Sequence, residues 1–147
     1  MQFPGQTGMK KIISKAGYYE LMIPDEWTFE QEGNIISIFR ENDSAEALQI
    51  SSFAVSKDYQ MDLRQELAEY MAEKITKRIE DVEKDIIVNG SVAFIRLIEA
   101  ETYREYRMMF EKNVLLLITW NGNYRDAAAD QHQLSAITNS IRISGIH

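Results

Sequence analysis

The chain contains no cysteine, only two prolines and only two histidines in 147 residues. Without cysteine there is no disulfide, no thiolate nucleophile, no zinc–thiolate cluster and no cysteine-anchored lipid. His132 and His147 cannot make a histidine-rich metal site, and no His–Glu pair stands at helical spacing. Long apolar runs are missing as well. The longest, Val114 to Ile118, is far too short to span a bilayer. After Met9-Lys10-Lys11, the pair Ile12-Ile13 gives way at once to Ser14-Lys15, so no apolar segment of signal-peptide length follows. Positive charge is in deficit: 16 Lys and Arg stand against 23 Asp and Glu, a formal net charge of −7. That balance disfavours general nucleic-acid binding, which needs clustered cations, and is compatible with a basic partner. No Gly-x-Ser-x-Gly elbow, phosphate loop or dinucleotide fingerprint is present. These absences lead to an expectation of a cytoplasmic, non-enzymatic protein with no cofactor, no metal, no membrane span and no nucleic-acid partner.

What is present is an ordinary globular composition, 45% hydrophobic and 27% charged, at a length suited to one domain. Residues 1–16 are expected to be a flexible leader and the approach to the first strand, with Met9 as an alternative start, and 17–147 to be the domain. Tyr18 to Ile23 reads as the first strand. Pro24 lacks an N–H for a sheet ladder, so the strand ends or turns there, and Asp25-Glu26 suits an exposed corner. Trp27 and Phe29 then alternate with Thr28 and Glu30 as in a half-buried strand. Glu32-Gly33-Asn34 gives a further turn. Ile35 to Arg40 and Ala47 to Val55 are the next strands, joined by the polar loop at 41–46.

The clearest helix is predicted from about Asp62 to Ile79. Leu63, Leu67, Tyr70, Met71, Ile75 and Ile79 make one stripe at helical spacing, and Arg64, Glu66, Glu69, Glu73, Lys77 and Arg78 make a solvated face. Asp62 can cap the first turn, with Gln65 at the capping-box position. Asn89-Gly90 between β-branched runs signals a hairpin. A second hairpin turns at Lys112-Asn113, pairing Phe110 with Leu115, Met108 with Leu117 and Tyr106 with Thr119. On its other face Met109 meets Leu116, Arg107 meets Ile118 and Glu105 meets Trp120. Both faces of Val114–Ile118 are apolar, which predicts a central strand covered on both sides. A last helix is expected from about Tyr124 to Ser140. Asn123 is its candidate cap, Ala127, Leu134, Ile137 and Ile141 its buried stripe, and a short strand follows. The order of elements is α+β: a mostly antiparallel sheet flanked by helices.

Pro24, Trp27, Asn89, Gly90 and Ala93, set in this order of strands and helices, carry a resemblance to the PsbP-like α/β/α sandwich superfamily. It extends over roughly residues 17–144. The superfamily includes a photosystem-associated subunit, a Ran-binding nuclear import factor and bacterial chaperones for secreted effectors. The resemblance implies a scaffold that binds another macromolecule, and it brings no catalytic motif to transfer.

Among local constellations, Glu99, Glu101 and Glu105 cluster near a strand junction. An acid pair for glycoside chemistry needs a fixed separation that spacing alone does not supply, and an exposed strand end is the simpler reading. His132, between two glutamines, reads as a surface residue. The most distinctive stretch is 102–107, Thr-Tyr-Arg-Glu-Tyr-Arg. Tyr103, Glu105 and Arg107 face one way and Arg104 and Tyr106 the other. With Trp120 alongside, Tyr103, Arg104 and Arg107 have the composition of a binding hot spot. A purely structural reading has Arg107 stacking on Trp120 and pairing with Glu105.

Two functions follow. The first is a protein-binding module of adaptor, chaperone or toxin-neutralising type, touching its partner through Tyr103, Arg104, Arg107 and Trp120. The second is a small-ligand-binding protein or hydrolase using the Tyr/Arg/Glu strand end. A closed pocket with converging polar groups favours the second; a flat exposed patch favours the first.

Overall fold

The structure, a computed structural model, describes residues 8–40, 43–99 and 101–145; the side chains at 43–46, 99 and 123–131 lie outside the described set. Residues 1–7 of the leader, residues 41 and 42 of the loop with the side chains of its other four residues, the side chains of the candidate cap Asn123 and of Ala127, and His147 therefore fall outside it. The described residues form ten strands and three helices. A three-stranded antiparallel sheet has the order β1 (Met9–Ile13), β2 (Tyr19–Pro24), β10 (Arg142–Ile143). A seven-stranded sheet has the order β3 (Trp27–Glu32), β4 (Ile35–Arg40), β5 (Asp43–Ala54), β9 (Val114–Asn123), β8 (Thr102–Glu111), β7 (Val92–Glu99), β6 (Ile87–Asn89).

Pro24 is where the chain changes sheets. It is the last residue of β2, opposite Met9, and the Asp25 amide donates to the Gly8 carbonyl at 2.9 Å. Trp27 opens β3 in the other sheet. β1 precedes the strand expected to be first: Lys10 and Lys11 hide it in the sequence, and only Ile12 of its five residues is buried. β5 begins at Asp43, inside the stretch expected as a loop, with Asp43 opposite Arg40.

The β8–β9 hairpin forms in the register expected, from Phe110–Leu115 down to Glu105–Trp120. Lys112 and Asn113 both have positive φ (50° and 62°), the pattern of a type I′ turn. The β6–β7 turn differs from expectation by one residue. Asn89 pairs with Val92, so the turn is Gly90-Ser91, and positive φ falls on Gly90 alone (61°), as in a type II′ turn.

Helix α1 (Leu63–Ile75) starts where expected: the Gln65 amide donates to Asp62 Oδ1 at 3.2 Å. The reciprocal half of a capping box is not made, because the Gln65 side chain donates to Glu69 instead. The helix stops four residues short of Ile79. Thr76 takes the left-handed conformation (φ 54°, ψ 52°), and a separate short helix, α2 (Ile79–Glu83), follows with Ile79 exposed. Arg64, expected only on the solvated face, donates to the carbonyls of Glu83 and Ile86 and ties α2 back to α1.

The seven-stranded sheet carries a buried core on each face. On one face α3 (Tyr124–Asn139) and the small sheet bury Ile12, Tyr19, Leu21, Ile23, Trp27, Ile36, Ile38, Leu48, Ile50, Val114, Leu116, Ile118, Leu134, Ile137 and Ile141. On the other, α1 and α2 bury Leu67, Ala68, Met71, Val82 and Ile86 against Ala93, Ile95, Tyr106, Met108 and Leu117. β9 is the middle strand and contributes to both cores, as its two apolar faces predict. The architecture is α+β.

Candidate functional site

Strand parity places Tyr103, Glu105 and Arg107 on the α3 side of β8 and Arg104 and Tyr106 on the α1 side, as the alternation predicts. Depth was not predicted. Tyr103 is 7% exposed and Trp120 3%, and the two rings meet edge to face at 5.0 Å. They are core residues under α3 and offer no open contact surface. Burial, and then the Glu105 carboxylate, push the Tyr103 hydroxyl pKa above its ordinary value; Arg96 and Arg107 partly offset this. Arg107 is half-buried. It pairs with Glu105 at 2.8 Å, as the structural reading has it, but its guanidinium lies over the Phe94 ring at 5.3 Å rather than over Trp120. Arg96 approaches the same carboxylate at 4.0 Å. So Glu105 accepts a hydrogen bond from Arg107 and has a second guanidinium at ion-pair distance. Glu101 is exposed at the β7–β8 turn, and the Glu99 side chain is outside the described set.

A cleft beside this cluster is lined by Leu48, Glu105, Arg107, Ile118, Trp120, Leu134, Ser135 and Thr138. Its volume is about 30 Å³, room for about one water molecule and far below the ~300–1,000 Å³ of small-molecule sites. The cleft does not support the ligand-binding or hydrolase reading. His132 is exposed on α3. No cluster of three metal-ligating side chains occurs among the described residues, and among them no helix is long and apolar enough to cross a membrane.

The α1 face of the large sheet has a different character. α1 packs on β6, β7 and β8, and the β5–β4–β3 half of that face is open: Gln49 is exposed, Ile35 is 39% exposed and Phe53 44%. Where the covered and open halves meet there is a trough of about 320 Å³. Its floor is Gln49 and Ser51 of β5, Leu117, Thr119 and Asn121 of β9. Its wall is Tyr70 of α1 and Tyr106 of β8, and its cations are Lys74 and Arg104. Register explains the assembly, because Tyr106, Thr119, Gln49 and Ser37 form one cross-strand row and Arg104, Asn121 and Ala47 the next. The tyrosine rings stand 6.2 Å apart, and Lys74 Nζ lies 5.4 Å from one centroid and 5.8 Å from the other. Lys74 also donates to the Tyr70 hydroxyl at 3.4 Å.

Of the four residues singled out in the sequence, only Arg104 belongs to this open surface. Lys74, Tyr70, Gln49, Thr119 and Asn121 were missed. The usable signals were Tyr70 and Lys74 one helical turn apart at the edge of the apolar stripe, and the polar alternation of Gln49 and Ser51 along β5.

No protein-family model and no curated protein matches the sequence. Solved structures do match the fold. The solution structure of cyanobacterial PsbP (CyanoP) from Synechocystis superposes with a TM-score of 0.66 at 8% identity, over 97% of this chain and 96% of that one. The Ran-binding protein Mog1p of Saccharomyces cerevisiae gives 0.58 at 10% identity, over 95% and 97%. A crystal structure from Bacteroides thetaiotaomicron gives 0.58 at 14% identity, over 94% of this chain and 49% of that one. At such identities the likeness concerns the fold alone, and the chain has the PsbP-like fold.

Proposed function

We propose that this chain is a non-enzymatic protein-binding module whose contact surface is the open half of the α1 face, strands β5, β4 and β3 with the adjoining trough. The observation that carries the reading is the unequal cover of the large sheet. α3 and the small sheet cover one face from Trp27 of β3 to Tyr103 of β8, leaving Phe29 at one rim and Ile98 and Ile87 at the β7–β6 edge exposed, while on the other face a row of polar side chains across three strands, with Ile35 and Phe53, faces solvent beside α1. An exposed sheet surface bordered by aromatic and guanidinium groups has the composition of a recognition surface. A scaffold of the same fold, Mog1p, is a Ran-binding protein, which adds support for a protein partner without naming this one. The adaptor, chaperone and toxin-neutralising roles all remain forms of this reading.

The test is site-specific photocrosslinking in cells of the source organism. The probe residue replaces Gln49 on the open face or Glu83 at the end of α2, which is not part of that face. A discrete protein adduct from position 49 and none from position 83 is the expected result. No adduct at 49, or the same adducts from both positions, overturns the proposal.

A further inference from the structure

The charge of the trough says more than its shape. The whole chain carries −7, yet the described residues that line the trough include two cations and no carboxylate. Lys74 and Arg104 are both exposed and neither makes an ion pair among the described residues. Lys74 is held by two tyrosine rings and one phenol oxygen instead. Of the acidic residues on neighbouring elements, Glu73 precedes Lys74 on α1 but is exposed and is not part of the trough lining. Glu66, one turn before Tyr70 on α1, accepts the Tyr59 hydroxyl. Glu69 accepts the Gln65 side chain. Glu30 and Glu32 share the open face but stand on β3, two strand spacings (about 10 Å) beyond β5.

We propose that the trough receives an acidic segment of a partner protein. This rests on the protein-binding reading and names the chemistry of the partner. Carboxylates reach Lys74 from one bank and Arg104 from the other as charge-assisted hydrogen bonds. The amides of Gln49 and Asn121 and the hydroxyls of Ser51 and Thr119 supply donors and acceptors for backbone between them. The tyrosine wall takes the aliphatic part of the segment. Two cations in an acidic protein are too few for a nucleic-acid backbone, whose binding scales with the number of phosphates neutralised.

The experiment uses the full chain and a fluorescein-labelled oligoglutamate peptide, read by anisotropy at low and moderate salt. An oligoglutamine peptide of equal length and a labelled oligothymidylate are run beside it. Oligoglutamate is expected to bind and oligoglutamine not to. Lys74→Gln with Arg104→Gln should weaken oligoglutamate binding about tenfold or more, as expected for losing two charge-assisted bonds, while Lys84→Gln, at the residue just after α2, leaves it unchanged. Both trough cations are exposed, and Lys74→Gln gives up its contacts with the tyrosine rings, so a urea midpoint only slightly below the parent's is expected and is measured for each variant. Undiminished binding by the double variant, or no binding by the parent, overturns the trough as an acidic-segment site. Tighter binding of oligothymidylate than of oligoglutamate overturns the choice of a protein segment. These outcomes are separate from the crosslinking result: an adduct at position 49 with no oligoglutamate binding keeps the protein-binding face and removes only its acidic partner.

Discussion

Replacing Trp27 by alanine tests the closed side of the molecule. Trp27 is 1% exposed, at the start of β3, where the chain arrives from the small sheet. Its indole Nε1 donates to Gln133 Oε1 on α3 at 3.2 Å, and the Arg40 guanidinium lies 4.8 Å from its ring centroid. A buried tryptophan removes roughly 200 Å² from water, which at about 25 cal/mol per Å² corresponds to an upper value near 5 kcal/mol. Partial collapse of the site lowers the loss and the missing hydrogen bond raises it, so Trp27→Ala should cost about 3–5 kcal/mol. In a chain of this size that is a fall in Tm of roughly 6–20 °C. Trp27→Phe keeps most of the apolar contact and removes the Nε1 donor. Gln133 still accepts from Arg40, so no acceptor is orphaned and the cost should be about 1–2 kcal/mol. Urea unfolding followed by far-ultraviolet circular dichroism separates the two, since tryptophan emission changes with the mutation itself. A neutral Trp27→Ala would falsify the wedge role. Equal losses in the two variants would mean that the hydrogen bond, and not packing, dominates.

Asp62→Ala removes the side-chain acceptor at the start of α1 and should lower stability by about 0.5–2 kcal/mol; an unchanged urea midpoint rejects the cap. Thr76→Gly should raise stability by about 0.5–1 kcal/mol, because a β-branched residue holds the left-handed conformation at the end of α1; a lower midpoint would show that the threonine side chain has a role outweighing the strain. Tyr19 has its hydroxyl pKa raised by burial, and among the described residues the hydroxyl has no hydrogen-bond partner. Below pH 10 the phenol is neutral whether folded or not. As pH rises past about 10 only the unfolded state ionises, so stability should fall by up to about 1.4 kcal/mol per pH unit from this group. Tyr19→Phe should flatten that alkaline limb and be near neutral at pH 7; a variant with an unaltered limb refutes the assignment.

Local pairing was more legible in the sequence than depth. The β8–β9 hairpin could be written pair by pair because Asn113 tolerates positive φ and both faces of β9 are apolar. β1 escaped because it is an edge strand with lysines at two of five positions, so its alternation shows only at Ile12. The overrun of α1 has a specific cause: Ile79 continues the helical period, and the residue that stops the helix is a threonine, which gives no stop signal in a sequence. Tyr103 and Trp120 were read as a surface because aromatic and guanidinium residues compose hot spots and buried strand ends alike. Only the placement of α3 over that end of the sheet distinguishes them. The trough draws on α1, β5, β8 and β9, so no window of sequence contains it.

The open face follows from widths. Seven strands at about 4.8 Å spacing make a sheet roughly 29 Å across. A helix of 13 residues is about 20 Å long and about 10 Å wide with its side chains, enough to cover two or three strands; α2 adds one turn more. On the other face α3 shares the work with three strands of the small sheet, and the cover extends to the start of β3, where Trp27 is buried, but stops short of the β7–β6 edge, where Ile98 and Ile87 are exposed. Behind α1 no equivalent element follows among the described residues, and the strands beyond it carry Ser37, Gln49 and Ser51 in place of a continuous apolar set. Three strands of about six residues present roughly 300 Å² in plan, below the ~800 Å² per partner of a standard stable interface. A surface of that size suits a short segment rather than a second domain. An extended peptide can place its carboxylates on Lys74 and Arg104 and still lie along the row of amides and hydroxyls, so a short acidic segment fits this surface better than a folded domain does.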